Sequence, residues 1–279
     1  MGLSVYDAAM LAELVRHLPR RRTVVCLGMP HLRFTARSLE RWSRRIGGTW
    51  SAGADPHRSL DGPAFFQSLG FERCLALDIS DYEGAQIIHD LNDPNLPLSH
   101  YGVADCVVDA GTLEHVFQLP NAFGNIFRLL AVDGLVVHTT PANGYLDHGF
   151  YQISPTLYYD YYVANQHRII SANVINRHPR VRCEPYVEDI YRNRGTLYSA
   201  ERLPRATVFF AAQKTAESTT GKVPTQGYYD KMHSGTERPR QNEFPFTYTG
   251  PRAGFGSKVG SLARGAGRRL KGLLSRGGS

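Results

Sequence analysis

The chain lacks the features that define several protein classes. It has 279 residues with four cysteines, and no apolar run approaches the roughly 18 residues that a membrane-spanning helix needs. Asp7 and Glu13 interrupt the only candidate for the apolar core of a signal peptide, and the basic run 20–22 follows that segment instead of preceding it. The cysteines have neither CxxC pairing nor zinc-finger spacing, so we expect reduced, buried thiols in a cytoplasmic protein.

Acidic residues are missing from the C-terminal part of the chain. Residues 244–279 contain seven lysines and arginines and no acid, which equals the net charge of +7 of the whole chain. Residues 1–243 therefore have a net charge of zero, which argues against nucleic acid as a partner of this part of the chain. Residues 257–276 form either a disordered tail or a basic amphipathic helix, which would suit an anionic membrane surface or an acidic partner.

Short apolar strands alternate with helical patterns along residues 1–214. Helices are predicted over 5–18, 36–45, 61–70, 120–131 and 155–165. Strands are predicted over 23–28, 74–78, 87–90, 105–109, 135–140, 168–175 and 206–213. This alternation predicts one α/β domain built on a doubly wound, mostly parallel, seven-stranded sheet. Residues 30–60 are interpreted as an arginine-rich insertion in the first crossover, and residues 215–256 as a flexible linker.

Acidic residues stand at or beside the ends of three predicted strands. They are Asp78, Asp90 and Asp109. In doubly wound sheets, ligands bind outside the carboxyl ends of the strands, and a carboxylate there can accept hydrogen bonds from both hydroxyls of a ribose. The alternative is that such acids only cap the next turn or helix.

Four stretches resemble the class I S-adenosylmethionine-dependent methyltransferases. They are residues 75–80, 89–94, 104–116 and 129–135, and the most specific element is Thr-Leu-Glu-His-Val at 112–116. The resemblance implies a Rossmann-like fold, an S-adenosyl-L-methionine cofactor and a methyl-transfer activity. The residues that it implies around the cofactor are Gly28, Asp78, Ile79, Asp90, Leu91, Asp109, Ala110 and Gly111.

Within that set the resemblance implies different roles. Asp78 would bind the ribose, Asp90 would lie near the adenine, and the backbone of Gly28 and 109–111 would lie under the methionine part. The chain departs from the family at the first strand, where residues 26–31 contain one glycine instead of several. Glycines there allow the backbone to approach a cofactor closely.

A second unusual block follows the fifth predicted strand. Residues 145–162 hold six of the fifteen tyrosines, and 148–155 read His-Gly-Phe-Tyr-Gln-Ile-Ser-Pro. This run resembles a bacterial subgroup of these enzymes that is associated with sugar, surface-glycan and small-molecule tailoring. We expect some of the rings to pack in the core and others to line an acceptor pocket.

The expected reaction is O-methylation of a small-molecule or glycan hydroxyl. A hydroxyl acceptor must lose its proton, and the candidate bases are His115 and His148, which follow the fourth and fifth strands. Either histidine could instead fix a turn. No metal is expected, because no ligand spacing recurs. Two alternatives are a catalytically inactive methyltransferase fold used for binding or as a scaffold, which the missing glycines favour, and a nucleic-acid methyltransferase.

Overall fold

Nine strands form a single sheet in a computed structural model that describes residues 2–81, 83–177, 180–186, 204–235 and 242–252. The strands are β1 Thr23–Leu27, β2 Arg73–Asp78, β3 Ile87–Ile88, β4 Ala104–Asp109, β5 Leu130–Asn143, β6 Arg168–Asn176, β7 Arg180–Pro185, β8 Ala206–Gln213 and β9 Tyr248–Arg252. Their order across the sheet is β3-β2-β1-β4-β5-β8-β6-β7-β9.

The described ranges contain six α-helices. They are α1 Val5–Val15, α2 Ala36–Arg45, α3 Gly62–Ser68, α4 Leu119–Leu129, α5 Pro155–Ala164 and α6 Gly227–Ser234. The five helices that the periodicity predicts are confirmed. Side chains cap several of them where polar residues precede an apolar pattern: the Asp61 carboxylate accepts from the amide of Ala64, and the Ser154 hydroxyl accepts from the amide of Thr156.

The parallel half of the sheet is doubly wound. β1 pairs with β2 on one side and with β4 on the other, and all pairs among β1 to β5 are parallel. The chain thus moves from β1 outward to β3 and then returns to the other side of β1. This topological switch point lies between the ends of β1 and β4, where such sheets bind their ligands.

The expectation of a seven-stranded, mostly parallel sheet is wrong in its details. β8 runs antiparallel between β5 and β6, and β7 and β9 add two further antiparallel strands. In the described residues, four strand pairs are parallel and four are antiparallel. β5 also runs past its predicted stop at Pro141, because Pro141 and Asn143 still pair with Thr207 and Ala206 of β8.

Alternate residues of the central strands face opposite helical layers. Val24 and Cys26 of β1 pack with α1, α2 and α3, whereas Val25 and Leu27 pack with α4 and α5. Both faces of β1 and β4 are buried throughout, which explains why residues 24–27 and 106–108 are apolar without alternation. The predicted arginine-rich insertion forms α2, which packs against α1.

Several described residues of 215–256, the range predicted as a flexible linker, contact the domain. Phe246 is buried in the core, and the amide of Phe244 donates to the carbonyl of Ile170 at 2.8 Å. β9 pairs with β7, and α6 follows a stretch in which the amide of Lys222 donates to Asn165 at 3.0 Å. The predicted tail 257–276 lies outside the described residues.

Candidate functional site

The ends of β1, β2 and β4 are joined by hydrogen bonds at the switch point. The amide of Gly28 donates to the carbonyl of Leu77 at 2.8 Å, and the Thr112 hydroxyl donates to the carbonyl of Leu27. Gly28 has φ +68°, a conformation that glycine adopts without strain. These bonds hold the first loop, the end of β2 and the turn after β4 in one place.

Gly28 and Asp78 lie side by side there. A Cβ atom on Gly28 would stand 3.7 Å from Oδ2 of Asp78 and 3.6 Å from the Thr112 hydroxyl oxygen. Asp78 also accepts from the amide of Ile79 at 2.7 Å, and the Ile79 side chain is exposed. The glycine thus leaves a small space bounded by a carboxylate and a hydroxyl, both of which can bind a polar ligand.

Met29, the bulky residue that follows Gly28, does not fill this space. Met29 packs against the start of α3, since a Cβ on Gly62 would lie 2.6 Å from its sulfur. The Met29 thioether therefore packs against α3, while Gly28 lies beside Asp78.

Asp90 and Leu91 follow β3 in a tight turn. Oδ1 of Asp90 accepts from the backbone amide and the side-chain amide of Asn92, both at 2.8 Å. The Leu91 side chain is buried in the core. Asp90 therefore shapes its own turn, as the capping alternative predicts, and remains half-buried next to the sheet edge.

Asp109 uses its carboxylate inside the protein. It is fully buried and accepts from the amide of Thr112 at 2.9 Å, while its other oxygen lies 2.9 Å from Nδ1 of His138. Nε2 of His138 lies 2.7 Å from the Tyr162 hydroxyl. An Nδ1–H group of His138 can donate to the carboxylate, which leaves Nε2 to accept from the Tyr162 hydroxyl.

The two residues after Asp109 are also inside. Ala110 and Gly111 are buried, and Gly111 has φ +93°. A ligand at the switch point would reach Asp109 and these two residues through the backbone only.

The structure brings His115 and His148 together, although they are far apart in sequence. His115 ends the 3₁₀ turn Leu113–His115 after β4, and His148 lies in the loop after β5. Their ring centroids are 5.0 Å apart. The two histidines that the sequence offers as bases therefore lie in one place at the carboxyl edge of the sheet.

Glu114 completes this group and was missed by the sequence reasoning. Its Oε1 lies 3.7 Å from Nε2 of His148 and 3.9 Å from Nε2 of His115. The Glu114 side chain is 0% exposed, whereas those of His115 and His148 are 46% and 36% exposed. We call Glu114, His115 and His148 the EHH cluster: a buried carboxylate under two imidazoles that reach solvent.

Backbone contacts hold the two loops of the EHH cluster together. The Glu114 carbonyl accepts from the amides of Phe150 at 2.7 Å and Tyr151 at 3.2 Å. Gly149 makes this approach possible: it has φ +90°, and a Cβ there would stand 2.7 Å from the Glu114 carbonyl oxygen. This close approach explains why position 149 of the 148–155 block is a glycine.

The polar atoms of the EHH cluster are poorly satisfied. Both carboxylate oxygens of Glu114 and Nε2 of His148 are buried without a hydrogen-bond partner. Burial raises the pKa of Glu114 to about 8, and the charge of Asp109 adds to the rise. Burial also lowers the pKa of His115, with His148 contributing. The cluster is therefore suited to exchange a proton or to hold a cation.

Three exposed apolar side chains lie close in sequence to the histidines of the EHH cluster. Phe117, Leu146 and Phe150, which we call the apolar rim, are all largely exposed, and the Phe117 and Phe150 rings meet edge to face at 5.8 Å. Large exposed apolar side chains grouped near polar groups are typical of a binding surface.

Most of the tyrosines of 145–162, which were expected to divide between the core and an acceptor pocket, are core residues. Tyr158 and Tyr162 are fully buried against His138 and Phe210, and Tyr159 and Tyr161 are also buried. Burial raises the pKa of Tyr158 and of Tyr162 well above the usual value. The tyrosines of α5 therefore have the packing role, and the residues at the edge of the site come from the preceding loop.

No helix in the described residues is long and apolar enough to cross a membrane. Neither a protein-family model nor a curated protein matches the sequence.

Several solved structures are similar to the chain. One is the Burkholderia thailandensis 1,6-didemethyltoxoflavin-N1-methyltransferase with bound 1,6-didemethyltoxoflavin and S-adenosylhomocysteine, at 14% identity over 75% of this chain and 78% of that chain, with a TM-score of 0.40. Another is a putative S-adenosylmethionine-dependent methyltransferase from Listeria monocytogenes, at 12% identity over 76% and 99%, with a TM-score of 0.41. A third is the N-methyltransferase NodS from Bradyrhizobium japonicum, at 12% identity over 75% and 94%, with a TM-score of 0.37.

Proposed function

We propose that this protein transfers a methyl group from S-adenosylmethionine to a hydroxyl of a small molecule or glycan. The observation that carries the proposal is the arrangement at the switch point: Gly28 and Asp78 lie together at the ends of β1 and β2, and the EHH cluster lies beyond β4 and β5. A donor site and an acceptor site side by side at one sheet edge are what a displacement reaction requires.

The residues at the switch point fit such a donor. The space beside Gly28 is bounded by the Asp78 carboxylate and the Thr112 hydroxyl, which can accept hydrogen bonds from ribose hydroxyls. Ile79 and the 90–91 turn lie along the same edge, where an adenine ring would extend, and the turn at 109–111 offers only backbone under the methionine part. The bound donor supplies an electrophilic methyl group on a sulfonium.

The EHH cluster receives the acceptor proton in this proposal. An acceptor hydroxyl gives its proton to an imidazole nitrogen of His115 or His148, whose side chains are 46% and 36% exposed. A positioned base of this kind typically contributes about 10²–10⁴-fold to the rate. The apolar rim supports an acceptor with an apolar face next to its hydroxyl.

Calorimetric titration with S-adenosylmethionine and with S-adenosylhomocysteine tests the donor site. We expect micromolar binding to the wild type, a loss of more than about tenfold in Asp78→Ala, and unchanged binding in Asp81→Ala. Asp81 is the matched control because it is an exposed acid in the same loop. Absence of binding to the wild type would overturn the proposal and favour an inactive binding or scaffold protein. Equal binding by Asp78→Ala would remove the assigned ribose contact.

A further inference from the structure

We propose that the EHH cluster is a binding site for one divalent first-row transition-metal ion, with Zn²⁺ as the reference ion. Glu114, His115 and His148 each offer one ligand atom, and the three atoms lie within 4.8 Å of one another. The sequence gives no expectation of a metal, because two neighbouring ligands and a third 33 positions further along match no recurring spacing.

The first reason is the state of the carboxylate. Glu114 is fully buried, and neither of its oxygens has a hydrogen-bond donor. Nε2 of His148 is also buried without a partner. Its separation of 3.7 Å from the carboxylate is too long for a hydrogen bond. Buried polar atoms without partners are costly and rare, and a cation between one Glu114 oxygen and Nε2 of His148 would give both atoms a partner and neutralise the carboxylate.

The second reason is distance. An ion with bonds of about 2.0–2.2 Å holds neighbouring ligand atoms about 3.0–3.5 Å apart. The Glu114 Oε1 atom lies 3.7 Å and 3.9 Å from the two imidazole nitrogens. Movements of a few tenths of an ångström would bring Oε1 to this spacing from each nitrogen. All three ligand atoms lie within 4.8 Å of one another, and the more exposed His115 has the most room to approach His148.

The third reason is rigidity of the supporting backbone. Glu114 and His148 come from different loops, but the Glu114 carbonyl binds the amides of Phe150 and Tyr151. The amide of His148 in turn donates to the carbonyl of Tyr145 at 3.1 Å. The ligands are therefore held near each other by contacts that do not use the ligand atoms, as a metal site requires.

The donor set selects the class of ion. Two imidazole nitrogens and one carboxylate oxygen suit Zn²⁺, Fe²⁺, Co²⁺ and Mn²⁺, whereas Mg²⁺ and Ca²⁺ prefer oxygen ligands. Three protein ligands leave at least one coordination position of the ion open to water or a substrate atom. With an ion bound, these imidazole nitrogens would be ligands instead of bases, and a hydroxyl on the ion would release its proton to solvent water; this consequence rests on the proposed function.

Titration of untagged, chelator-treated full-length protein with Zn²⁺ tests the site, and Co²⁺ serves as a spectroscopic probe. We expect one equivalent to bind, with weak visible Co²⁺ bands and no thiolate charge-transfer band from the four cysteines. Binding should weaken by at least about tenfold in His148→Ala and in Glu114→Gln. It should be unchanged in His31→Ala, which removes an exposed histidine that pairs with Glu83 at 3.2 Å.

Folding is checked on the same samples. Zn²⁺ should raise the unfolding temperature of the wild type and of His31→Ala, but not that of His148→Ala. If Glu114→Gln does not fold, His148→Ala in its exposed loop decides the question. Absence of binding to the wild type, a thiolate band, or full binding by His148→Ala would overturn the proposal. These readouts use no S-adenosylmethionine, so Zn²⁺ binding without cofactor binding would support this site and overturn the proposed function.

Discussion

Gly149 lies against Glu114 so closely that a Cβ atom on the glycine would stand 2.7 Å from the Glu114 carbonyl oxygen. The contact joins the loop after β5 to the turn after β4, and with it His148 to His115. A single backbone approach therefore determines whether the two histidines face one carboxylate.

Gly149→Ala should destabilise the protein. Its φ of +90° strains any side chain, which costs about 1–3 kcal/mol, and the added methyl group meets backbone that cannot move aside easily. The free energy of unfolding from urea denaturation measures the loss.

Gly53→Ala is the matched control for this change. Gly53 has φ +68°, but no atom lies within 4 Å of an added Cβ. We expect Gly149→Ala to cost about 1–3 kcal/mol more than Gly53→Ala, because only the former adds a steric overlap. Equal losses would contradict the close approach of the two loops.

Arg177→Met should cost about 3–5 kcal/mol of folding free energy. Arg177 pairs with Asp7 at 2.9 Å, and Asp7 is fully buried in α1. Removal of the guanidinium leaves a buried carboxylate without its counter-charge. Urea denaturation should show that adding Asp7→Asn restores part of the loss.

A surface ion pair provides the comparison. Arg168 pairs with Glu243 at 3.0 Å, and both side chains are about half exposed. Arg168→Met should cost less than about 1 kcal/mol because solvent screens the pair. If Arg168→Met costs as much folding free energy as Arg177→Met, burial of the ion pair does not determine the cost of breaking it.

Stability should fall as the pH drops from about 6.5 toward 4. Burial lowers the pKa of His167 to about 4. The unfolded chain therefore binds a proton in this window that the folded protein does not, so acid favours unfolding. The expected contribution is roughly 2–3 kcal/mol. Unfolding free energies at pH 7 and 4.5 should differ less in His167→Gln than in the wild type, while the exposed His57→Gln should follow the wild type.

Tyr162→Phe should cost about 1–3 kcal/mol. The change removes the hydroxyl that lies 2.7 Å from Nε2 of His138 and leaves a buried nitrogen without a partner. Tyr101→Phe, at an exposed position, should stay within about 0.5 kcal/mol of the wild type in the same denaturation experiment. A neutral Tyr162→Phe would show that the buried chain from Asp109 to Tyr162 does not stabilise the fold.

The sequence predicts elements whose residues are buried on both faces or capped by local side chains. β1 and the middle of β4 are apolar runs, and α3 follows the capping residue Asp61 and has a proline in its first turn. These signals depend only on residues close in sequence, so the elements predicted from them are present in the folded protein. The same holds for Asp78, whose position at the end of β2 follows from the strand alone.

Elements that depend on distant partners could not be predicted in this way. β7 alternates charged and apolar residues at an exposed part of the sheet, and β9 contains a glycine and a proline, so neither has a strand signal of its own. Glu114 is a similar case. A glutamate beside a histidine after a strand resembles a solvated turn, and its burial arises only when the 145–151 loop folds over it.

The two loops of the EHH cluster are joined mainly by main-chain groups. The bonds run from the amides of Phe150 and Tyr151 to a carbonyl, and the Tyr151 hydroxyl donates to the carbonyl of Phe117. Every residue type has a carbonyl, and every type except proline has an amide proton. The side chains of Phe117, Leu146 and Phe150 can therefore diverge among descendants of this protein while the histidines keep their places. Selection could thus change which molecule is recognised without rebuilding the reactive groups.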